Sequence, residues 1–192
     1  NNEKYNLMSY ISRANYSFKS KYLLTATLRA DGSSLFPKGN KWGVFPSVSA
    51  GWILSDESFM EDVSWVSFLK ARFGWGQIGN DNRNSIPVEA KLTTLGNEYY
   101  TSGSGQNVFI GTGPDNVGNP DIKWETVEDL NFGLDMSFFE SKFTVNFDMY
   151  KRTTHDMLMN KSIPSYLGSG YNGQWSNIGS FETKGIDFGA TY

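Results

Sequence analysis

Apolar and polar side chains alternate along seven separate runs of this chain, and this pattern limits its fold more than any other feature. In the run that begins at Tyr22, every even-numbered residue through Ala30 is apolar, while the odd-numbered residues from Thr25 to Asp31 are polar or charged. Successive side chains of a β-strand leave opposite faces, so a period of two indicates strands. The sequence predicts seven strands, within residues 5–18, 22–31, 44–54, 69–76, 130–136, 143–152 and 186–192.

The lengths of the runs and of their connections favour a membrane wall. Four runs span ten residues or more, whereas strands of soluble proteins usually stop near five or six and a tilted membrane-spanning strand needs about ten. Short polar turns at 19–21 and 140–142 alternate with long connections at 32–41, 80–123 and 153–176. This arrangement is typical of transmembrane β-barrels, whose short turns are periplasmic. We therefore predict an all-β, antiparallel, up-and-down meander of about seven strands, part of a large transmembrane β-barrel.

Two connections carry additional predictions. The long connection 80–123 is expected to contain a hairpin, with strands near 88–94 and 107–111. The connection 55–66 must lie on the short-turn side although it is longer, and its Ser55-Asp56-Glu57-Ser58 start is expected to cap one helical turn.

Composition agrees with a wall that is apolar on one face and wet on the other. Aromatic residues make up 16% of the 192 residues, glycines number 20, and hydrophobic residues reach only 39%. Such a wall uses aromatics, Gly, Asn, Ser and Thr. We expect one set of side chains to face lipid, namely Leu24, Leu28, Phe73, Leu134, Phe147 and Phe188. Another set, Arg29, Arg72, Asp135 and Asp148, is expected to face the lumen.

Neither an enzyme nor a nucleic-acid-binding protein is predicted. The net charge is −3, so no basic surface for nucleic acid is indicated. The single histidine, His155, has no cysteine to share a metal site with and is expected in a solvated loop. Asp129 and Asp135 would lie about 20 Å apart along one strand, too far for a glycosidase pair. We predict no catalytic residue, no cofactor and no metal.

The aromatic residues allow two interpretations. Five near predicted strand ends fit the girdles at membrane interfaces, although sugar stacking is an alternative; they are Tyr16, Tyr22, Trp42, Trp52 and Trp75. Residues on the predicted outer side are better candidates for contacting substrate; they are Tyr99, Tyr100, Trp124, Tyr166, Tyr171 and Trp175.

Five blocks of this sequence resemble segments of the SusC/RagA family of TonB-dependent outer-membrane transporters. They occur in the family's order and span most of the chain: YLLTATLRADGSS at 22–34, KWGVFPSVSAGW at 41–52, KARFGWGQIGN at 70–80, NPDIKWE at 119–125, and NIG at 177–179 followed by ETKGID at 182–187. Trp75, Ile78, Thr183 and Asp187 depart from the family pattern. The chain is thereby identified as a fragment of such a barrel.

The resemblance implies a barrel of about 22 strands closed around a plug. This chain would supply roughly a third of the strands, and the signal peptide, TonB box, plug and remaining strands would lie outside it. The implied activity is import of oligosaccharides, or peptides, across the bacterial outer membrane. The implied partners are a SusD-like surface lipoprotein, TonB, and the lipid and lipopolysaccharide of that membrane. A soluble all-β carbohydrate-binding module or secreted glycosidase remains the alternative, and detergent dependence of solubility separates the two.

Overall fold

A computed structural model describes residues 5–81, 92–102, 107–114, 117–164 and 173–192. Seven of its strands form one antiparallel sheet in the order β1-β2-β3-β4-β7-β8-β9, and β5 pairs with β6 in a separate hairpin. Among the described residues, no helix is long and apolar enough to cross a membrane. The strands are β1 Leu7–Phe18, β2 Tyr22–Ser33, β3 Trp42–Ile53, β4 Val66–Asn80, β5 Leu92–Ser102, β6 Asn107–Pro114, β7 Glu125–Phe138, β8 Phe143–Lys161 and β9 Gln174–Thr191.

The predicted meander of seven antiparallel strands is confirmed. Each strand of the large sheet pairs with its neighbour in sequence, except that β4 pairs with β7 because the β5–β6 hairpin lies between them in the chain. A hairpin was predicted in that connection, and its first strand begins at Leu92, four residues after the predicted start. The sheet is open, with β1 and β9 at its two edges.

The predicted loop at 153–176 is wrong over half of its length. Strand β8 continues to Lys161 and β9 already begins at Gln174, so these strands have 19 and 18 residues. The alternation was lost because β8 contains a bulge: its register with β9 shifts between Thr154 and Met157, and Asp156 has a φ of 56°. His155 consequently lies in a strand and not in a loop, with its side chain 47% exposed.

Two tight turns without glycine connect strands at one end of the sheet. Lys19 and Ser20 have φ values of 50° and 56°, and the backbone N–H of Lys21 donates to the carbonyl of Phe18 at 3.1 Å. Residues 139–142 form a second turn with positive φ at Glu140 and Ser141. Positive φ at both central positions is the type I′ geometry that matches strand twist. We call this the turn side, and the opposite end, with connections 34–41, 81–124 and 162–173, the loop side.

The connection between β3 and β4 lies on the turn side, as predicted, but forms two 3₁₀ turns at Leu54–Asp56 and Ser58–Met60. The residues that precede these turns are Ile53 and Glu57, and neither makes a side-chain cap hydrogen bond. The predicted cap at Ser55 is therefore wrong, because the first turn begins one residue earlier.

The cross-strand register places the predicted sets of side chains on opposite faces. Leu24, Ala50, Phe73, Phe132, Met149 and Ile186 are paired in one continuous row. Residues two positions apart share a face, so this row lies on the same face as Leu28, Leu134, Phe147 and Phe188, which we call the apolar face. Arg29, Arg72, Asp135 and Asp148 lie on the other side, the polar face. The predicted division is confirmed.

Candidate functional site

A network of charged side chains occupies the polar face across β4, β7 and β8. Arg72 lies with Nε 2.8 Å from Asp135 Oδ2 and with Nη2 3.0 Å from Asp148 Oδ2. The Asn146 amide donates to Asp135 Oδ1 at 2.9 Å. Gly133 lies beneath this cluster, and a Cβ there would come within 2.7 Å of Arg72 Nη2. The missing side chain leaves room for one guanidinium to join three strands.

Other charges on the polar face also pair with one another. Arg152 bonds Asp129 across β7 and β8, and Arg29 lies 2.6 Å from the buried carboxylate of Asp31. Paired charges keep the face hydrophilic while neutralising much of its field.

A small buried core closes the loop side of the sheet. It consists of Phe36, Phe45, Ile122, Trp124 and Leu158, which are 1–7% exposed, and Trp175 packs against it. The ring of Trp124 lies 5.0 Å from that of Phe36 and 5.6 Å from that of Phe45. The ring of Phe45 occupies the space that a Cβ at Gly43 or Gly79 would need. We call these five residues the loop-side core.

Hydrogen bonds fasten the irregular segment 117–124 over this core. The Asn40 amide donates to the carbonyls of Asp121 and Ile122, and Trp124 Nε1 donates to the carbonyl of Lys41 at 3.1 Å. Asn177 accepts from the backbone N–H of Lys123 and donates to its carbonyl. Backbone groups outside a ladder need such partners. Segment 117–124 is therefore bound both to the β2–β3 connection and to β9.

A buried carboxylate links the strands beneath segment 117–124. Glu125 is 7% exposed, accepts from the Asn80 amide at 2.9 Å, and accepts from the backbone N–H of Leu158 at 2.8 Å. It thereby bridges β4 and β8 from the first residue of β7. The sequence analysis placed Glu125 only within the NPDIKWE block, because its bridging role depends on contacts between distant strands.

The structure gives the predicted substrate residues different environments. Trp124 is 7% exposed and belongs to the loop-side core, so its faces are covered by protein, and Trp175 is part-buried against that core. Tyr99 and Tyr100 lie in β5, in register with Ile110 and Phe109. Tyr166 and Tyr171 lie outside the described residues. Both tryptophans therefore pack in or against the loop-side core, and contact of any of the six residues with substrate stays a prediction.

An open cleft of about 320 Å³ lies next to the loop-side core. Its walls include the Arg29–Asp31 pair, Asn80, Asp81 and Trp124. Charged and amide groups beside one aromatic ring offer hydrogen bonds to a polar ligand.

Aromatic rings line the turn side of the apolar face, as the girdle interpretation expects. Tyr22 stacks on Trp52 with ring centroids 6.1 Å apart, and Trp65 stacks on Phe138 at 5.6 Å. On the loop side, Tyr10 stacks on Trp42 at 5.8 Å. Trp75 does not lie at a strand end, since β4 continues for five more residues, to Asn80.

Glu57 ties the turn-side girdle to the β3–β4 connection. Its carboxylate accepts hydrogen bonds from the hydroxyl of Tyr22 at 2.7 Å and from Trp52 Nε1 at 3.0 Å, and lies 3.4 Å from Lys21 Nζ. These donors, the Tyr22 hydroxyl above all, lower the pKa of Glu57 below its ordinary value of 4.5. The sequence analysis assigned Glu57 only to a helix cap, because its partners are separated from it by up to 36 residues.

Known proteins share this architecture. The family model described as TonB dependent receptor-like, beta-barrel matches residues 1–192. The chain is 40% identical to the TonB-dependent receptor SusC of Bacteroides thetaiotaomicron over 95% of its own length and 18% of that protein's. It is 36% identical to the TonB-dependent receptor P39 of Formosa agariphila over 93% of this chain and 16% of that one. The chain thus spans less than a fifth of these relatives.

Solved structures of related proteins share the fold of this chain. A chain of the RagAB peptide importer in its "closed-closed" state superposes with a TM-score of 0.81 at 28% identity, covering 97% of this chain and 19% of that one. The siderophore receptor PirA from Pseudomonas aeruginosa matches in fold alone, with a TM-score of 0.58, 18% identity, and coverage of 96% of this chain and 30% of that one. The chain therefore belongs to the β-barrel family of TonB-dependent receptors, in the SusC/RagA group, and is part of an outer-membrane barrel wall.

Proposed function

We propose that the whole protein is an energy-dependent importer of oligosaccharides, or of peptides, across the outer membrane. The observation that carries this proposal is the 40% identity to SusC across 95% of this chain, with the fold shared with the RagAB peptide importer. The described sheet suits the wall of such an importer because one face is apolar and the other carries paired charges. No bond-making or bond-breaking step is assigned to it.

The chain is proposed to be one segment of a single barrel domain. A plug, the TonB-contacting segment and the remaining strands would come from other parts of the protein. The two edge strands support this, because an unpaired sheet edge is not tolerated in lipid. A SusD-like lipoprotein would cover the loop side, and TonB would act from the periplasmic turn side.

Substrate contacts are proposed for the tyrosines of the loop-side segments, Tyr99, Tyr100, Tyr166 and Tyr171. Tyrosine can stack on a sugar ring and donate a hydrogen bond without a fixed charge, which suits a mostly neutral cargo. Trp124 and Trp175 would act indirectly, by holding segment 117–124 and the start of β9 in place. The cleft beside Arg29 and Asp31 lies on the polar face, where a passing ligand would meet hydrogen-bonding groups.

The experiment uses the full-length protein in cells that lack their own copy. Uptake of labelled oligosaccharide and of labelled peptide is measured with and without an uncoupler of the inner-membrane proton gradient. Uncoupler-sensitive uptake of either class is expected, and its absence for both classes contradicts import. Tyr166→Ser with Tyr171→Ser should reduce uptake at least tenfold while the amount of barrel in the outer membrane stays the same. Unchanged uptake would remove these tyrosines from the substrate site.

A soluble carbohydrate-binding module is disfavoured by the apolar face. Phe73, Phe188 and Ile186 are 46%, 70% and 66% exposed, and a monomeric soluble domain rarely leaves so large an apolar surface uncovered. The full-length protein should therefore stay in solution only with detergent. A detergent-free, monodisperse protein would favour the soluble alternative.

A further inference from the structure

The β5–β6 hairpin is joined to the barrel wall through its roots and not through sheet pairing. Among the described strands, β5 and β6 pair only with each other, and the seven-stranded sheet passes directly from β4 to β7. Segment 117–124 follows β6 and leads into β7, so it forms the C-terminal root of this hairpin. The contacts that hold segment 117–124 therefore help to set the direction of the hairpin.

The first residues of β9 bond to the beginning of this root. Asn119 Nδ2 donates to the carbonyl of Trp175 at 2.8 Å and lies 3.3 Å from the hydroxyl of Ser176. The amide of Gln174 donates in the opposite direction, to the carbonyl of Gly118 at 3.0 Å. Backbone carbonyls outside a ladder are thereby satisfied from both sides. The root of the β5–β6 hairpin is joined to the point where β9 begins.

Asn177 joins the end of the root to both strands of the β8–β9 hairpin. Its side chain accepts from the backbone N–H of Lys123 at 3.0 Å and donates to the carbonyls of Lys123 and Asp156, at 2.9 and 2.7 Å. The Asp156 carboxylate lies 2.8 Å from Lys123 Nζ. A bulge interrupts the regular ladder, and the bulge at Asp156 presents the carbonyl that Asn177 binds. Segment 117–124, β8 and β9 therefore meet at one asparagine.

We propose that Asn119 and Asn177 are positioning residues that fix the β5–β6 hairpin against the outer end of the β8–β9 hairpin, so that the two hairpins present one surface to a single cargo molecule. The inference rests on the proposed import, which assigns cargo contact to segments of both hairpins. Binding costs less free energy when the groups that bind are already ordered. Separating the two hairpins therefore weakens the capture of cargo and leaves the maximal rate of import unchanged.

The first test needs no cargo. It measures the distance between spin labels on Ser102→Cys, in β5, and Lys161→Cys, in β8, in the full-length protein. The double variant Asn119→Ala, Asn177→Ala removes the asparagine bonds to β8 and β9, so the distance distribution should become about twofold wider than in wild type. An unchanged width would overturn the proposed joint.

Asn40→Ala is the matched control for this measurement. Asn40 donates to two carbonyls of the same segment, those of Asp121 and Ile122, but it belongs to the β2–β3 connection. The control removes an asparagine amide from segment 117–124 and leaves the bonds to β9 in place. The width should therefore stay at the wild-type value. Equal widening in both variants would show a general loosening of the segment and would contradict a specific joint to β9.

The second test measures uptake of the labelled oligosaccharide and the labelled peptide by cells that carry the full-length double variant. The concentration that gives half-maximal uptake should rise about fivefold, while the maximal rate and the amount of barrel in the outer membrane stay at wild-type values. A lower maximal rate with an unchanged half-maximal concentration would exclude a role in capture. Absence of uptake in wild type would contradict import itself, and the spin-label distances would still decide whether the two hairpins are joined.

Discussion

A methyl group added at Gly79 should disrupt the loop-side core, while the same change at Gly74 should not. At Gly79 the added Cβ would lie inside the space of the Phe45 ring, which is 5% exposed and packed against Trp124. At Gly74, on the same strand, no atom lies within 4 Å of the added Cβ. The two substitutions thus share their chemistry and their strand and differ only in the available space.

The expected loss of stability in Gly79→Ala follows from overpacking of the loop-side core. Forcing one methyl group into a packed core costs about 1–3 kcal/mol. Replacing a strand glycine by alanine recovers about 0.5–1 kcal/mol at both positions. Gly79→Ala should therefore be less stable than Gly74→Ala by about 1–3 kcal/mol. Phe45 cannot move aside cheaply because Gly43 and Trp124 enclose it.

Two measurements on the full-length barrel check this prediction. The first is the temperature at which the barrel loses its folded mobility in a denaturing gel, and the second is hydrogen exchange of segment 117–124. Gly79→Ala should lower the temperature and speed exchange in that segment. Gly74→Ala should raise the temperature slightly and leave exchange near wild type. Equal behaviour of the two variants would refute the packing that we assign to Phe45.

Three further perturbations test the wall itself. Leu134→Arg, at the centre of the apolar face, should destabilise the barrel in lipid by about 2–4 kcal/mol. Asn131→Arg, on the polar face of the same strand, should cost far less stability. Equal losses of stability would contradict the assignment of the two faces. Glu57→Gln should lower thermal stability at pH 7. Because the pKa of Glu57 is lowered in the folded protein, the stability advantage of wild type over this variant should disappear as the pH falls below about 4.5. A difference in stability that stays constant from pH 7 to 3 would contradict the role of the carboxylate. Ser20→Gly relieves a φ of 56° and should stabilise the barrel by about 1 kcal/mol, which a lower midpoint on heating would exclude.

The strands of the wall could be predicted from the sequence because the alternation that each strand requires lies within its own residues. A strand of an open wall needs only apolar residues every second position, and β2, β7 and the first part of β8 show this directly. The prediction failed at 153–176 because of one bulge at Asp156. After the bulge, the side chains of β8 no longer continue the alternation of the preceding residues. A single inserted residue shifts every later side chain to the other face.

The loop-side site could not be predicted for a different reason. The residues around Trp124 in the sequence do not distinguish a tryptophan that binds a sugar from one that packs in a core. Its burial depends on Phe36 and Phe45, which are about 80 or more positions away. Glu57 and Glu125 likewise find their donors across the sheet. Contacts of this range leave no periodic signal.

The five sequence blocks by which the family was recognised meet in this region of the structure. Phe45, Gly79, Trp124 and Asn177 each come from a different block, and all lie in or against the loop-side core or segment 117–124. Ser33, from the remaining block, is 2% exposed, and its backbone N–H donates to the carbonyl of Lys41, the acceptor of Trp124. Many residues satisfy a lipid-facing position, but only a few fit a site where a ring fills the space above a glycine. The recognisable residues therefore specify how segment 117–124 is fastened to the barrel.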